Sequence, residues 1–450
     1  MSGAVKSARF GRALVVLAIA TLALGGCDTV KGLFTGTAKA PLPGKRISVL
    51  NLERNLKPDP QLTATPIALP RPFDNSAWPE SGGFPSHAMY HLALGDKLER
   101  AWKANAGEGA SRYGRVTSQP VVEAGRIFTL DSEDVISAFD SKSGRRLWRF
   151  DPQPDSAKAT AYGGGIAAAG DRVYVATGYG QVLALEAATG KPLWRVDVPA
   201  PVHSAPTVAD GRIFVVTVEN ELDVLAAEDG RKLWTHNGLP EPAGLIGGAA
   251  PAVAGDVVIV PYSSGEVYAL RIENGRPLWS DSLAAAQPVG ALSSLADIRG
   301  APVIDRDRVL AISHSGLMVS IDLRTGDRIW EKDIGGVHAP WVAGDYIYVL
   351  SAQNELLCLM RADGRVRWAL DLPQWDNPEE KKDPIFWSGP VLAGDRLIVI
   401  SSQGDAISVS PYTGEALGRT DFPDGVYINP VVADKTLYVM TDEADLIALR

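Results

Sequence analysis

The chain has almost no cysteine: two residues in 450, Cys27 and Cys358. Without a Cys-Cys pair, a C-x-x-C or a C-x-x-C-H run, it offers no disulfide framework, no metal-type cysteine spacing and no covalent haem. Cys358 stands in the strand-like run Leu356-Leu357-Cys358-Leu359 and reads as a small buried apolar residue. Histidine is scarce as well, with six in all (His87, His91, His203, His236, His314, His338). His203 and His338 precede the start of a repeated module by three and two residues. No third ligand or paired carboxylate accompanies them at a recognisable spacing, so no metal or catalytic residue is assigned. Positive charge is in deficit, 44 Lys and Arg against 53 Asp and Glu, for a net charge of −9. A chain of that balance is a poor nucleic-acid binder.

What the chain has in quantity is one pattern of 29 residues. Proline opens it at Pro120, Pro206, Pro251, Pro302, Pro340 and Pro390, and Ile166 takes the same place once. Always 24 residues later comes glycine: Gly144, Gly190, Gly230, Gly275, Gly326, Gly364 and Gly414. Four residues further on comes tryptophan six times (Trp148, Trp194, Trp234, Trp279, Trp330, Trp368) and Gly418 once. An eighth copy opens at Pro430 and runs to Arg450, short of its glycine and tryptophan. Fixed internal spacing, with length variation confined to the connectors, is the mark of one supersecondary unit repeated.

Within a copy, β-branched and aromatic runs such as Ile213-Phe214-Val215-Val216 favour strands. Fourteen residues after the opening position stand Asp134, Gly180, Asn220, Gly265, Gly316, Asn354 and Gly404, residue types that tolerate the positive φ of a tight hairpin. Four short antiparallel strands in 40–45 residues is the arithmetic of a propeller blade. The strand missing from the eighth copy has a counterpart upstream, where Leu98-Glu99-Arg100-Ala101-Trp102-Lys103 reads like Gly190-Lys191-Pro192-Leu193-Trp194-Arg195. The expectation is therefore an all-β, eight-bladed β-propeller over 96–450, its last blade closed by this N-terminal strand so that no edge stays open. The tryptophans, at one fixed place per copy, are expected to pack between blades.

The front end differs. Residues 1–26 read as a leader: Lys6, Arg9 and Arg12, then an apolar stretch from Ala13 to Leu24 too short for a convincing membrane span. Its end, Leu24-Gly25-Gly26-Cys27, resembles the bacterial lipobox. That resemblance implies cleavage before Cys27, diacylglycerol on its sulfur and an acyl chain (palmitate-type) on the new N-terminus. Such multiple acylation anchors stably. Loss of the leader's three cations takes the net charge from −9 to −12. Residues 27–95 are proline-rich and hold no copy of the repeat, which suits a lipidated tether. The Arg46–Leu56 stretch and Trp78 are apolar enough to dock on the body.

Segments such as Leu185-Glu186-Ala187-Ala188-Thr189-Gly190-Lys191-Pro192-Leu193-Trp194 resemble the quinoprotein-type repeat, A-x-D-x-x-T-G-x-x-x-W. Together with the lipobox and eight copies, the chain from Cys27 to Arg450 resembles the BamB family, lipoprotein propellers of the outer-membrane β-barrel assembly (BAM) machinery. The resemblance implies a non-enzymatic scaffold without a cofactor, lipid-anchored at the periplasmic face of the outer membrane. Its partners would be a POTRA domain of BamA, other BAM subunits and unfolded outer-membrane clients. In that family the partner surface is built from the loops flanking the fourth module. Here Leu245 matches an apolar position, Ile246 stands where arginine is expected, Asp297 matches the first aspartate of an Asp-x-Asp, and Arg299 replaces the second. Leu245 and Ile246 would give buried contact, with Asp297 and Arg299 at the rim.

Two alternatives stay open. One is a quinone-dependent dehydrogenase on the same repeat, against which stand the missing Cys-Cys pair and the absence of long insertions. The other is a propeller scaffold for a different envelope complex. The connector from Asp371 to Trp387, with Pro373, Trp375 and the run Glu379-Glu380-Lys381-Lys382-Asp383, suits partner binding or a solvated loop with its tryptophans packed beneath. Asp28 resembles the inner-membrane retention signal of enteric bacteria, at odds with an outer-membrane address.

Overall fold

The computed structural model describes residues 56–450 apart from 63–64, 113, 158, 160, 162, 242–244, 246 and 285–295. The leader, Cys27, Asp28 and Ile246 lie outside the described residues. Among those described there is no helix. Eight four-stranded antiparallel sheets follow one another, each in the order first-second-third-fourth strand, plus one two-stranded ribbon. Residues 55–450 form one compact unit. The fold is an eight-bladed β-propeller.

The eighth blade closes as the repeat arithmetic requires. Its outermost strand, Arg100–Asn105, pairs antiparallel with the strand Asp445–Leu449, so that Trp102 lies opposite Ala448. The hairpin position fourteen residues into each copy has positive φ in every blade, from Asp134 (64°) to Gly404 (89°), and the eighth copy places Ala444 there at 57°.

The tryptophans and glycines work as pairs across the blade seams. Each indole Nε1 donates to a carbonyl of the next blade, three residues before that blade's glycine. Trp148 bonds Ala187, Trp234 bonds Ile272, Trp279 bonds Leu323 and Trp368 bonds Pro411, at 2.8–3.0 Å. Trp102 bonds Ser141 in the same way across the closing seam, at 3.2 Å. The glycine lies flat under the indole: a Cβ on Gly190 would meet the Trp148 ring at 2.6 Å, and one on Gly275 the Trp234 ring at 2.5 Å. One seam lacks the pair. Blade seven carries Gly418, and blade eight has no turn between its third and fourth strands, because those strands come from opposite ends of the chain. An indole at 418 would have no turn to cap.

Residues 73–94, which the sequence reading places in the tether, lie on the propeller as a strap that visits the blades in order. Asn75 Nδ2 donates to Val432 O of blade eight, and Trp78 exchanges two backbone bonds with Val122 of blade one. Next, Ala168 N–H donates to Pro79 O, Val208 N–H to Glu80 Oε1, Val253 N–H to Pro85 O and Ile304 N–H to Ser86 O. In blade six Trp341 Nε1 donates to Tyr90 O, and in blade seven Leu92 N–H donates to Leu392 O. In seven blades the partner stands two residues past the module's opening position. There the innermost strand is an edge whose outward N–H and C=O groups need partners, and the strap supplies them. Trp78, 1% exposed, stacks on Trp341 with ring centroids 6.3 Å apart.

Candidate partner-binding face

In a four-stranded blade the turns between strands two and three share a face with the blade-to-blade connectors, and the remaining turns occupy the other face. The strap lies on that other face, against Gly344, Gly394 and Asp434. The connector face is where the sequence places the partner site.

Two of its connectors meet. The Leu245 N–H donates to Asp297 Oδ2 at 2.7 Å, linking the connector before blade four to the one before blade five. Gly247, at φ 87°, backs onto Arg299, and a Cβ there would stand 3.3 Å from the guanidinium Nε. Leu245, Asp297 and Arg299 are thus brought together. Their roles differ from the expected rim, for Asp297 is only 5% exposed and Arg299 is half-buried. Burial pushes the Asp297 carboxyl up, while the Leu245 N–H and the Arg299 charge pull it down. Burial lowers Arg299, and Asp297 raises it again. The pair braces the loops from inside.

The outward surface is supplied by residues the motif did not single out. A hollow of about 410 Å³ is lined by Leu245, Val218, Glu219, Glu241 and Asn220, with Asp297 in its wall. Asn220 is its polar hub. Its Oδ1 accepts from Ser263 N–H at 3.0 Å, and its Nδ2 donates to Leu239 O at 2.6 Å. Leu239 N–H in turn donates to Glu266 Oε2 at 2.6 Å. These bonds hold a leucine that is 61% exposed, beside Val218 at 38%. The sequence marked Asn220 only as a turn residue; a leucine held bare on a connector carries no local signature.

Across the same face, the Asp371–Trp387 connector forms a two-stranded ribbon, Trp375–Asn377 against Lys382–Pro384. Trp387 is buried and donates Nε1 to Pro373 O at 2.9 Å, Trp375 is half-buried, and Phe386 stays exposed against Tyr427.

The central channel holds a hollow of about 120 Å³, lined by Ser81 and Gly82 of the strap and by Gln119, Arg299, His338 and Asn429. Burial lowers the His338 imidazole to about 4, aided by the Arg299 charge, and burial also lowers His203. The His338 imidazole is therefore neutral at pH 7. That hollow is smaller than the roughly 300–1,000 Å³ usual for small-molecule pockets, and Ser81 and Gly82 of the strap form part of its wall. Among the described residues no group of three or more His, Cys, Asp or Glu is placed to hold a metal ion.

Comparison with known proteins agrees with this geometry. Residues 132–370 match the family model described as outer membrane protein assembly factor BamB. The protein of that name from Shewanella oneidensis is 28% identical over 350 residues, covering 76% of this chain and 86% of its own length. The one from Xanthomonas campestris is 24% identical over 499 residues, covering 97% of each. Among solved structures, BamB from Moraxella catarrhalis superposes with a TM-score of 0.67 at 19% identity, over 79% of this chain and all of that one. A quinohemoprotein alcohol dehydrogenase from Pseudomonas putida reaches 0.66 at 15% identity, over 84% of this chain and 80% of that one. At such identities the superpositions speak to fold alone.

Proposed function

The chain belongs to the BamB family of outer membrane protein assembly factors, and from that premise we propose that it is a non-catalytic scaffold lipoprotein of the β-barrel assembly complex. It is anchored through Cys27 at the periplasmic side of the outer membrane, and it holds a POTRA domain of BamA on its connector face. The observation that carries this reading is the joining of the two long connectors by the Leu245–Asp297 bond, around a hollow lined by Val218 and Leu245, with Leu239 exposed on the same connector as Leu245. Rigidly held loops on a stiff body are the usual carriers of recognition. Apolar residues with Glu219 and Glu241 beside them suit a partner that offers an apolar anchor flanked by bases. The small, strap-floored channel supports a scaffold over an enzyme.

Co-purification from detergent-solubilised envelopes tests it. BamA is expected with the wild type, and a loss of tenfold or more with Leu239→Asp plus Leu245→Asp, since an apolar anchor at an interface centre carries about 2 kcal/mol or more. Asp297→Lys is a poor probe, because it unpins the connector as well. Absence of BamA from the wild-type preparation would overturn the reading.

A further inference from the structure

The strap face carries a surface that the scaffold reading leaves unused. Beside the opening turn of blade six lies a hollow of about 350 Å³, lined by Pro70, Arg71, Phe73, Tyr90, His91, Arg306 and Gly344. Its walls are mostly apolar. Phe73 and Tyr90 are each 37% exposed, as is Phe84 further along the strap. The charged lining comprises Arg71, exposed, and Arg306, whose guanidinium also reaches Asp305 and Gly344 O. His91 is turned inward, with Nδ1 on Pro70 O and Nε2 accepting from Asp395 N–H.

The path of the chain gives this surface its direction. From the hollow the polypeptide runs back past Gly344, where Pro70 lies against the turn, to the other turn of blade six. There Thr65 O accepts from Arg367, and Asp59 N–H donates to Val366 O. The described residues of this path stay on the strap face. The hollow and the point from which the chain leads toward Cys27 are therefore on the same blade, and the connector face points the other way.

Aromatic side chains at half exposure with arginines beside an apolar hollow are the composition of a membrane-interface site. Rings sit at headgroup depth while guanidinium groups meet phosphate. We propose that the strap face rests on the membrane surface, the hollow at Phe73 and Tyr90 taking the phosphate and upper acyl region of an anionic phospholipid through Arg71 and Arg306. The lipid anchor then sets the orientation as well as the tether, and the connector face looks into the periplasm. The proposal extends the scaffold reading but needs neither BamA nor acylation to be tested.

The test uses the mature chain with Cys27→Ser, so that no acyl group contributes, and co-sedimentation with vesicles of phosphatidylethanolamine and phosphatidylglycerol. Binding is expected, weakened at high salt, and reduced about tenfold or more by Arg71→Glu plus Phe73→Ser. Phe73 bonds its neighbours through its backbone, so the double variant keeps the strap, and an unchanged melting temperature verifies this. Val218→Ser plus Leu239→Ser on the opposite face should leave vesicle binding as it was. No vesicle binding, binding indifferent to the Arg71 and Phe73 changes, or saturation by inorganic phosphate without vesicle binding would each overturn it. BamA recovery by the acylated wild type is a separate readout and does not move with these outcomes.

Discussion

At the scale of single residues, module four offers a controlled comparison of two glycines. Gly255 and Gly275 both have positive φ, 58° and 73°, which side chains other than glycine reach at a cost. A Cβ at Gly255 would meet nothing within 4 Å, whereas one at Gly275 would stand 2.5 Å from the Trp234 ring. Gly255→Ala should therefore lose about 1 kcal/mol, the backbone penalty alone. Gly275→Ala should lose about 3 kcal/mol, since it must also push the indole off its carbonyl. Equal losses in urea titrations of the two variants would show that the glycine is there for its φ and not for its flatness. The 24-residue spacing made every such glycine legible. Its reason lay in the neighbouring blade, which no single copy displays.

At the scale of elements, the strap holds itself by groups that titrate. His87 donates Nδ1 to Pro302 O at 2.7 Å, its buried Nε2 has no partner among the described residues, and burial lowers the imidazole to about 4. The unfolded chain takes up that proton near 6.5, so the folded state is at full advantage above that pH and loses it as pH falls toward 4. Glu80 works the other way. Burial raises its carboxyl well above the usual range, so its contribution is complete in acid and declines as pH rises through its elevated value. His87→Asn keeps a donor for Pro302 O and tolerates the 59° φ at this position. Between pH 6.5 and 4.5 its melting temperature should fall less steeply than that of the wild type, and parallel curves would count against the assignment. The sequence hinted at the strap only through Trp78. Each of its residues answers a different blade, so it has no period, and its prolines read equally well as tether. The candidate site was legible to a similar depth. The connectors and Leu245, Asp297 and Arg299 stood out, but the buried bracing role of Asp297 depends on a bond spanning 52 positions of chain.

At the scale of the whole molecule, a closed ring spreads any opening over all its seams, so the weakest seam decides where it yields. Seven seams have an indole hydrogen-bonded to the next blade, and the seam from blade seven to blade eight has Gly418 instead. The outer strand of blade seven, Ala416–Asp421, is exposed along its whole length. Blade seven is nevertheless tied to the closing strand's approach, for Arg396 donates to Gly95 O and Asp96 O, at 2.5 and 3.1 Å. Blade eight itself joins the two ends of the propeller's chain, with Glu99 and Arg450 exchanging backbone bonds at its margin. Local opening should start here, at the one seam among the described blades that has no indole hydrogen bond. Hydrogen exchange under native conditions should find the amides of Ala416–Asp421, which has Gly418 at the tryptophan position, exchanging before those of Lys232–Asn237, an outer strand with its tryptophan in place. Arg396→Ala should widen that gap by roughly tenfold in exchange rate, about the worth of a charge-assisted hydrogen bond. Uniform exchange around the ring would mean that the strap, whose two ends pair with each other where Phe73 meets Leu92, carries the closure that the missing indole does not.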